Sequence, residues 1–321
     1  MTNPEFRFDE TPISPLMFIE ASAGTGKTYT LQRLVLRFIV EKSIPIESFL
    51  IVTYTEAATA ELSGRVREIL GRAVLGLSPG SESKLTEPER KEFGKLRDKW
   101  THDGITLEEA LDRVRRSLEE FDRCAIYTIH SFCRKMLESW AFSGGNPFEG
   151  DIGDDASVQY AAIDEFKRRY LNDPAYSDPE LARQIIALDV GAFLSWKRSH
   201  PEAAVSFPDA DPMLRDMSEH LESQIVARKN RLSLMSFDDI LIRMEKTAYE
   251  SLDFRNRVRS LYRAVLVDEF QDTDTIQYRI FKRLFIESEK EGGPACYAVF
   301  VGDPKQSIYG FRGADIGTYL K

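Results

Sequence analysis

Ile19-Glu20-Ala21-Ser22-Ala23-Gly24-Thr25-Gly26-Lys27-Thr28 is the stretch from which the rest of the chain can be read. A short apolar run, Leu16 to Glu20, leads into it. Leu31, Leu34, Val35, Phe38 and Ile39 follow at helical spacing, as one apolar face. A strand, a glycine-bearing turn and a helix in that order make a phosphate cradle. The glycines let backbone N–H groups close around phosphate oxygens. Lys27 reaches toward β- and γ-phosphates, and the Thr28 hydroxyl can ligand Mg²⁺. The helix that follows points its positive end at the anion. The strict pattern has glycine where this chain has Ala21. A plain glycine-rich connector is the competing reading, and the Lys-Thr pair with its flanks argues against it.

The same rhythm continues outward. Phe49-Leu50-Ile51-Val52-Thr53 reads as a buried strand, followed from Glu56 by a helix with Leu62, Val66, Ile69 and Leu70 inward. Ala125-Ile126-Tyr127-Thr128 is another strand, followed by a helix bearing Phe132, Met136 and Leu137. Ala264 to Val267 and Tyr297 to Val301 are two more strand-length apolar runs. Alternating strands and helices predict an α/β fold with a mostly parallel sheet.

Two stretches break the rhythm. Residues 79–123 are charged and helical in pattern. Residues 146–231 open after Gly144-Gly145, are helical in pattern with proline breaks, and carry 16 acidic against 10 basic residues. We expect an inserted all-helical subdomain at 146–231, with the α/β domain assembled from 1–145 and 232–321. A solvated helical decoration is the plainer alternative. No internal repeat or low-complexity run is present.

Composition limits the function classes. The net charge of −9 argues against a simple basic nucleic-acid module, although a local groove can be positive on an acidic protein. Three scattered cysteines, 124, 133 and 296, form neither a disulfide framework nor a metal-ligand spacing. Cys124 and Cys133 sit among apolar residues and are expected to be buried thiols. The opening residues lack a secretory pattern, and a cytoplasmic location is expected.

A second motif is Leu266-Val267-Asp268-Glu269-Phe270-Gln271-Asp272, an apolar strand ending in acids. Asp268 is the candidate for the Mg²⁺ shell. Glu269 is the candidate to orient and deprotonate an attacking water. Acids at a strand end also cap helices, and Asp272 or Asp274 is placed to cap one starting at Thr275. The third motif runs from Val301 through Gly302-Asp303-Pro304-Lys305-Gln306 to Tyr309-Gly310-Phe311-Arg312-Gly313-Ala314-Asp315. Gln306 is placed for a γ-phosphate or its water. Tyr309 and Phe311 beside Arg312 suit stacking on bases, or else one of the two rings belongs to the core.

These blocks together resemble the superfamily 1 helicase motor of the UvrD/Rep kind, and in detail the amino-terminal part of RecB-type exodeoxyribonuclease V beta subunits. Val52 through Leu62, Tyr127 through Cys133, and Phe237-Asp238-Asp239 extend the likeness in the family's order. Ala21 suits that family. UvrD-like chains usually carry Asn-Lys-Ala-Ala where this one has Glu56-Ala57-Ala58 after Thr55, and AddA-like chains usually differ at Gly302–Gln306 and Arg312–Asp315. The resemblance implies a RecA-like P-loop domain using ATP and Mg²⁺, with Ala21 through Thr28 and Arg312 at the nucleotide. It implies that Thr53, Thr55, Thr128, His130 and Phe132 line a single-stranded DNA track, where His130 alternatively just holds the loop. It implies that Tyr309 and Phe311 stack on bases, and that the helical insertion meets incoming duplex. It further implies 3′-to-5′ movement beside RecC-like and RecD-like subunits in DNA repair and recombination. A second motor domain with an arginine finger, and an exonuclease domain, are expected beyond Lys321. The upstream glutamine that reads adenine in many members has no counterpart in residues 1–31.

Two rival classes remain open. One is an ATP-dependent DNA-binding switch that never translocates. The other is a metal-dependent nuclease at Asp164-Glu165-Phe166-Lys167, whose plain alternative is a solvated helix face.

Overall fold

The computed structural model describes residues 10–20, 26–141, 151–153, 156–172, 179, 223–232, 234–287 and 295–303. In chain order the strands are β1 (Leu16–Glu20), β2 (Phe49–Thr53), β3 (Ala125–Thr128), β4 (Asp151–Ile152), β5 (Leu234–Met235), β6 (Ala264–Val267) and β7 (Tyr297–Gly302). The helices are α1 (Lys27–Glu41), α2 (Glu56–Leu77), α3 (Glu87–His102), α4 (Leu107–Glu119), α5 (Ile129–Ala141), α6 (Ala156–Asn172), α7 (Phe237–Glu250), α8 (Leu252–Leu261) and α9 (Thr275–Phe281). A single π turn, Lys282–Ile286, continues α9. Residues 223–232 are also helical. The chain divides into two compact units, one made of Met1–Trp140 with Leu241–Lys321 and the other of Ala141–Ile240.

The larger unit is an α/β fold around a five-stranded sheet in the order β1-β7-β6-β2-β3, with every pairing parallel. The inner strands show why. Every residue of β2 and of β6 is buried, as are five of the six in β7. Strands buried on both faces read as continuous apolar runs, as these do. Edge strand β1 instead alternates exposed and buried residues.

α1 departs from expectation. Its apolar residues predict one inward face, yet every residue from Leu31 to Val40 is buried, including Gln32, Arg33 and Arg37. The charged 79–123 stretch supplies the cover. Arg33 meets Glu92 of α3 at 2.7 Å, with its guanidinium 3.4 Å above the Tyr29 ring. Arg37, with no exposed surface, donates to both Glu41 oxygens at 2.7 and 2.8 Å and to the Thr11 carbonyl at 2.8 Å. The Trp100 indole and the Lys99 ammonium also reach Glu41, at 3.1 and 3.2 Å. A buried ion pair holds only when its remaining donors and acceptors are met.

In the smaller unit, helical patterning does not cover everything. β4 pairs in parallel with β5, so the stretch beginning at 146 is not purely helical. Ser236 and Asp239 cap the start of α7 reciprocally, at 2.8 and 3.3 Å, and Lys229 pairs with Asp239 at 2.8 Å. On α6, Glu165 is ion-paired with Arg228 and Asp164 is exposed. Among the described residues no three His, Cys, Asp or Glu side chains converge on a metal position. The nuclease reading therefore finds no support there. Cys133 and Cys296 are buried, whereas Cys124 is only half-buried. Burial pushes the Cys124 and Cys296 thiols up to about 12, so neither is a ready nucleophile. No helix among the described residues is long and apolar enough to cross a membrane.

Burial alone would raise the Glu41 carboxyl, but Arg37, Trp100 and Lys99 outweigh it and hold the group below its ordinary range. Its stabilising contribution is therefore complete above that range and is lost as pH falls through the folded value. Glu41→Gln, which leaves Arg37 buried without its counter-charge, is expected to cost about 3–5 kcal/mol. Urea unfolding at pH 7 measures the loss, and the gap to wild type should narrow in acid.

Candidate nucleotide site and strand ends

The candidate residues gather where the parallel strands end. β1 finishes at Glu20, in register with Gly302 at the end of β7. β6 finishes at Val267, in register with Phe300 of β7. The start of α1 and the acids after β6 therefore face each other across the end of β7, where ligands of open α/β sheets are held. Gly26 caps α1 with φ of 92°, a left-handed conformation that a side chain would strain. Thr28 is half-buried in the first turn. Ala21, Ser22, Ala23, Gly24 and Thr25 lie outside the described residues, as do Gln306, Tyr309, Phe311 and Arg312.

Lys27 and Glu269 are brought together although 242 positions separate them. The ammonium lies 2.5 Å from Glu269 Oε2. The Lys27 side chain is 11% exposed and that of Glu269 36%, so the pair sits at the mouth of the site. Glu269 itself has φ of 52°, uncommon for a residue with a side chain. Such backbone persists where surrounding structure holds it, often at working sites. Its N–H donates to Asp268 Oδ1 at 2.9 Å, and the Asp268 N–H donates to the Val52 carbonyl at 2.9 Å. Asp268 is thus fixed by backbone on both sides.

Three carboxylates crowd one ammonium here. Burial, then the charge of Glu269, pushes the Asp268 carboxyl up to about 6. The same two causes, burial first, raise Asp272. Asp272 Oδ1 is buried with no hydrogen-bond partner. This excess of anionic oxygen is the setting a divalent cation relieves. One or two carboxylates suffice for Mg²⁺, which completes its shell with water and phosphate. The residues therefore fit the ion, with Asp268 and Thr28 as the candidate protein ligands. Of the two aspartates that could cap the next helix, Asp274 does so. It accepts from the Gln277 N–H at 2.8 Å, and Gln277 reaches back to the Asp274 N–H at 3.4 Å.

Gln271, quoted within the acidic motif but given no role there, lies against this cluster. Its amide nitrogen donates to Glu269 Oε2 at 2.6 Å, and its oxygen accepts from the Asp303 N–H at 2.8 Å. Position alone was the available signal: two residues beyond Glu269, in the tight turn Phe270–Asp272.

The candidate DNA residues lie at the ends of β2 and β3, where Thr53 pairs in register with Thr128. They divide by exposure. The Thr53 hydroxyl is buried, 2.7 Å from that of Thr59 and 3.2 Å from the Thr55 carbonyl. Thr128 is buried and bonded to Glu56 and Ser131, at 3.1 and 2.9 Å. Thr55 is exposed and caps α2, accepting from the Ala58 N–H at 3.1 Å. His130 is half-buried. Phe132 corrects the expectation. Its ring is wholly buried, edge-on to Tyr262 at 6.1 Å, so it offers no surface to a DNA strand. With Met136 and Leu137 it forms the buried face of α5. Glu56 was missed: its carboxylate accepts from both Thr128 and Ser131, at 3.1 Å each, tying the α2 start to the β3 end.

Asp268 makes the nucleotide-free chain sensitive to pH. Its folded value of about 6 exceeds the ordinary 3.8, so the folded chain binds this proton more tightly than the unfolded one. Its contribution to nucleotide-free stability therefore falls as pH rises through that window. Asp268→Asn is expected to stabilise the nucleotide-free chain at pH 7 by about 1–3 kcal/mol. Thermal unfolding should show the variant's advantage growing from about pH 4 to about pH 7.

The chain resembles known proteins over nearly its whole length. Residues 3–321 match the family described as UvrD/REP helicase N-terminal domain. The RecBCD enzyme subunit RecB of Mycobacterium tuberculosis is 36% identical over 318 residues, covering 94% of this chain and 26% of that protein. The subunit of the same name from Mycolicibacterium smegmatis is 33% identical over 321 residues, again 94% of this chain and 26% of the relative. The Escherichia coli subunit is 26% identical over 435 residues, covering 97% of this chain and 36% of its own length. The chain thus spans about a quarter to a third of the relatives it matches. With a parallel α/β sheet and the family match running over nearly its whole length, the chain belongs to the UvrD/Rep helicase family, as a RecB-like N-terminal domain.

Proposed function

We propose that this chain is the ATP-binding first half of a RecB-like DNA helicase motor, which in its longer relatives' context drives DNA unwinding during double-strand break repair. The observation that carries the reading is the meeting of Lys27, Asp268 and Glu269 across the end of β7. Lys27 would leave Glu269 for the β- and γ-phosphate oxygens of ATP. Glu269, released from that pair, would orient the attacking water and take its proton. Asp268 and Thr28 would hold Mg²⁺, which neutralises charge on the phosphate oxygens when bound. Ala21 through Thr28 would wrap the phosphates by backbone N–H groups, with Gln306 and Arg312 at the γ-phosphate.

Thr55, His130, Tyr309 and Phe311 would contact single-stranded DNA, with Thr53 and Thr128 supporting the track from beneath. The 146–231 block would act as the inserted subdomain that meets duplex. RecC-like and RecD-like subunits are the proposed partners, in the cytoplasm. The Thr53–Leu62 stretch and the third motif favour a motor over an ATP-dependent switch.

Equilibrium binding of a fluorescent Mg-ATP analogue tests the nucleotide site. Lys27→Ala should weaken binding at least tenfold. Residues 1–321 alone should turn ATP over slowly or not at all, because a finger arginine supplies about 10³ to 10⁵ in rate. Vigorous DNA-stimulated hydrolysis by this stretch alone, or binding indifferent to Lys27, would refute the reading. Single-strand DNA affinity that responds to nucleotide and depends on Tyr309 separates a motor from a switch.

A further inference from the structure

We infer that Gln271 is a positioning residue that ties the Glu269 carboxylate to the backbone at Asp303, so that a change at the nucleotide is felt where β7 ends. The inference rests on the nucleotide reading above.

Gln271 is nearly buried, and its amide spans two adjacent strand ends. Its orientation is unambiguous. Asp303 presents an N–H, which only the Gln271 oxygen can accept, at 2.8 Å. The amide nitrogen must then face Glu269 Oε2, 2.6 Å away, with Asp272 Oδ2 a longer second acceptor at 3.3 Å. Each end of the amide meets a group of the opposite hydrogen-bonding kind.

The surroundings are shaped around this contact. A Cβ at Gly302 would lie 2.7 Å from Gln271 Oε1 and 3.1 Å from the Gln271 backbone nitrogen. A side chain there would push the Gln271 amide off the next N–H and crowd its backbone, so glycine is what lets the amide reach it. Asp303 is itself buried, which makes an unpaired N–H there costly.

Glu269 Oε2 receives both Lys27 and Gln271. When Lys27 turns to a phosphate, that oxygen loses one of two donors and the carboxylate is re-set. Gln271 holds the same oxygen and must follow, and the Asp303 N–H is bound to its other end. In sequence, Asp303 opens the segment bearing Gln306, Tyr309 and Phe311. A change in Glu269 is thereby delivered to the start of the third motif.

Two substitutions separate the ends of the link. Gln271→Leu removes both bonds. Gln271→Glu, of the same shape, keeps an acceptor for Asp303 but has no donor for Glu269. Amide hydrogen exchange at Asp303 is followed with and without a fluorescent, slowly hydrolysed Mg-ATP analogue, whose binding is measured separately. Both variants should bind the analogue within about threefold of wild type. Without nucleotide, Asp303 should exchange at least tenfold faster in Gln271→Leu and within threefold of wild type in Gln271→Glu. Nucleotide should change Asp303 exchange at least threefold in wild type and in neither variant. Unaltered protection in Gln271→Leu, or a preserved nucleotide response in Gln271→Glu, overturns the link. So does a wild-type chain that binds the analogue with no change at Asp303, and that result leaves the nucleotide reading standing. A wild-type chain that binds no analogue overturns both.

Discussion

The parallel ladder joining β1, β7 and β6 is the constraint from which everything else follows. In a parallel sheet all strands finish at the same edge, and here the inner strands are apolar along almost their whole length. Polar groups can then appear only where strands stop. Gly26 and Lys27 follow β1, Asp268 and Glu269 follow β6, and Asp303 follows β7, so five positions from three distant stretches share one rim. The same edge carries Thr53 and Thr128 at the ends of β2 and β3, which continues the rim toward the candidate DNA residues.

Charge is the second organising influence. Lys27 faces an excess of carboxylate, and burial first, with the Glu269 charge second, raises Asp268 and Asp272. Like charges close together disfavour ionisation, and a divalent cation would relieve them here. The imbalance costs stability in the nucleotide-free chain, a familiar exchange of stability for function at working sites.

Much of this was legible in the residues themselves. Continuous apolar runs marked β2, β6 and β7, and helical spacing marked the inward residues of α2. The glycine turn with Lys27 and the acids at 268 and 269 marked a candidate phosphate site, and the structure brings Lys27 and Glu269 together. The rest depended on long-range pairing. Arg33 and Arg37 read as surface charges on an amphipathic helix, and only Glu92 and Trp100, each 59 positions from its contact on α1, show them to be buried. Gln271 is an ordinary turn residue until β7 brings Asp303 beside it. Phe132, given a DNA-track role by the resemblance, is instead wholly buried.

The burial of α1 from Leu31 to Val40 has a mechanical meaning. A helix surrounded on every side, with Arg37 clamped by Glu41 and the Thr11 carbonyl, cannot tilt or slide without breaking close packing and charge pairing together. The helix that follows Gly26 is therefore an anvil rather than a spring. Any displacement at this rim has to appear in its short turns, such as Phe270–Asp272, and not in α1.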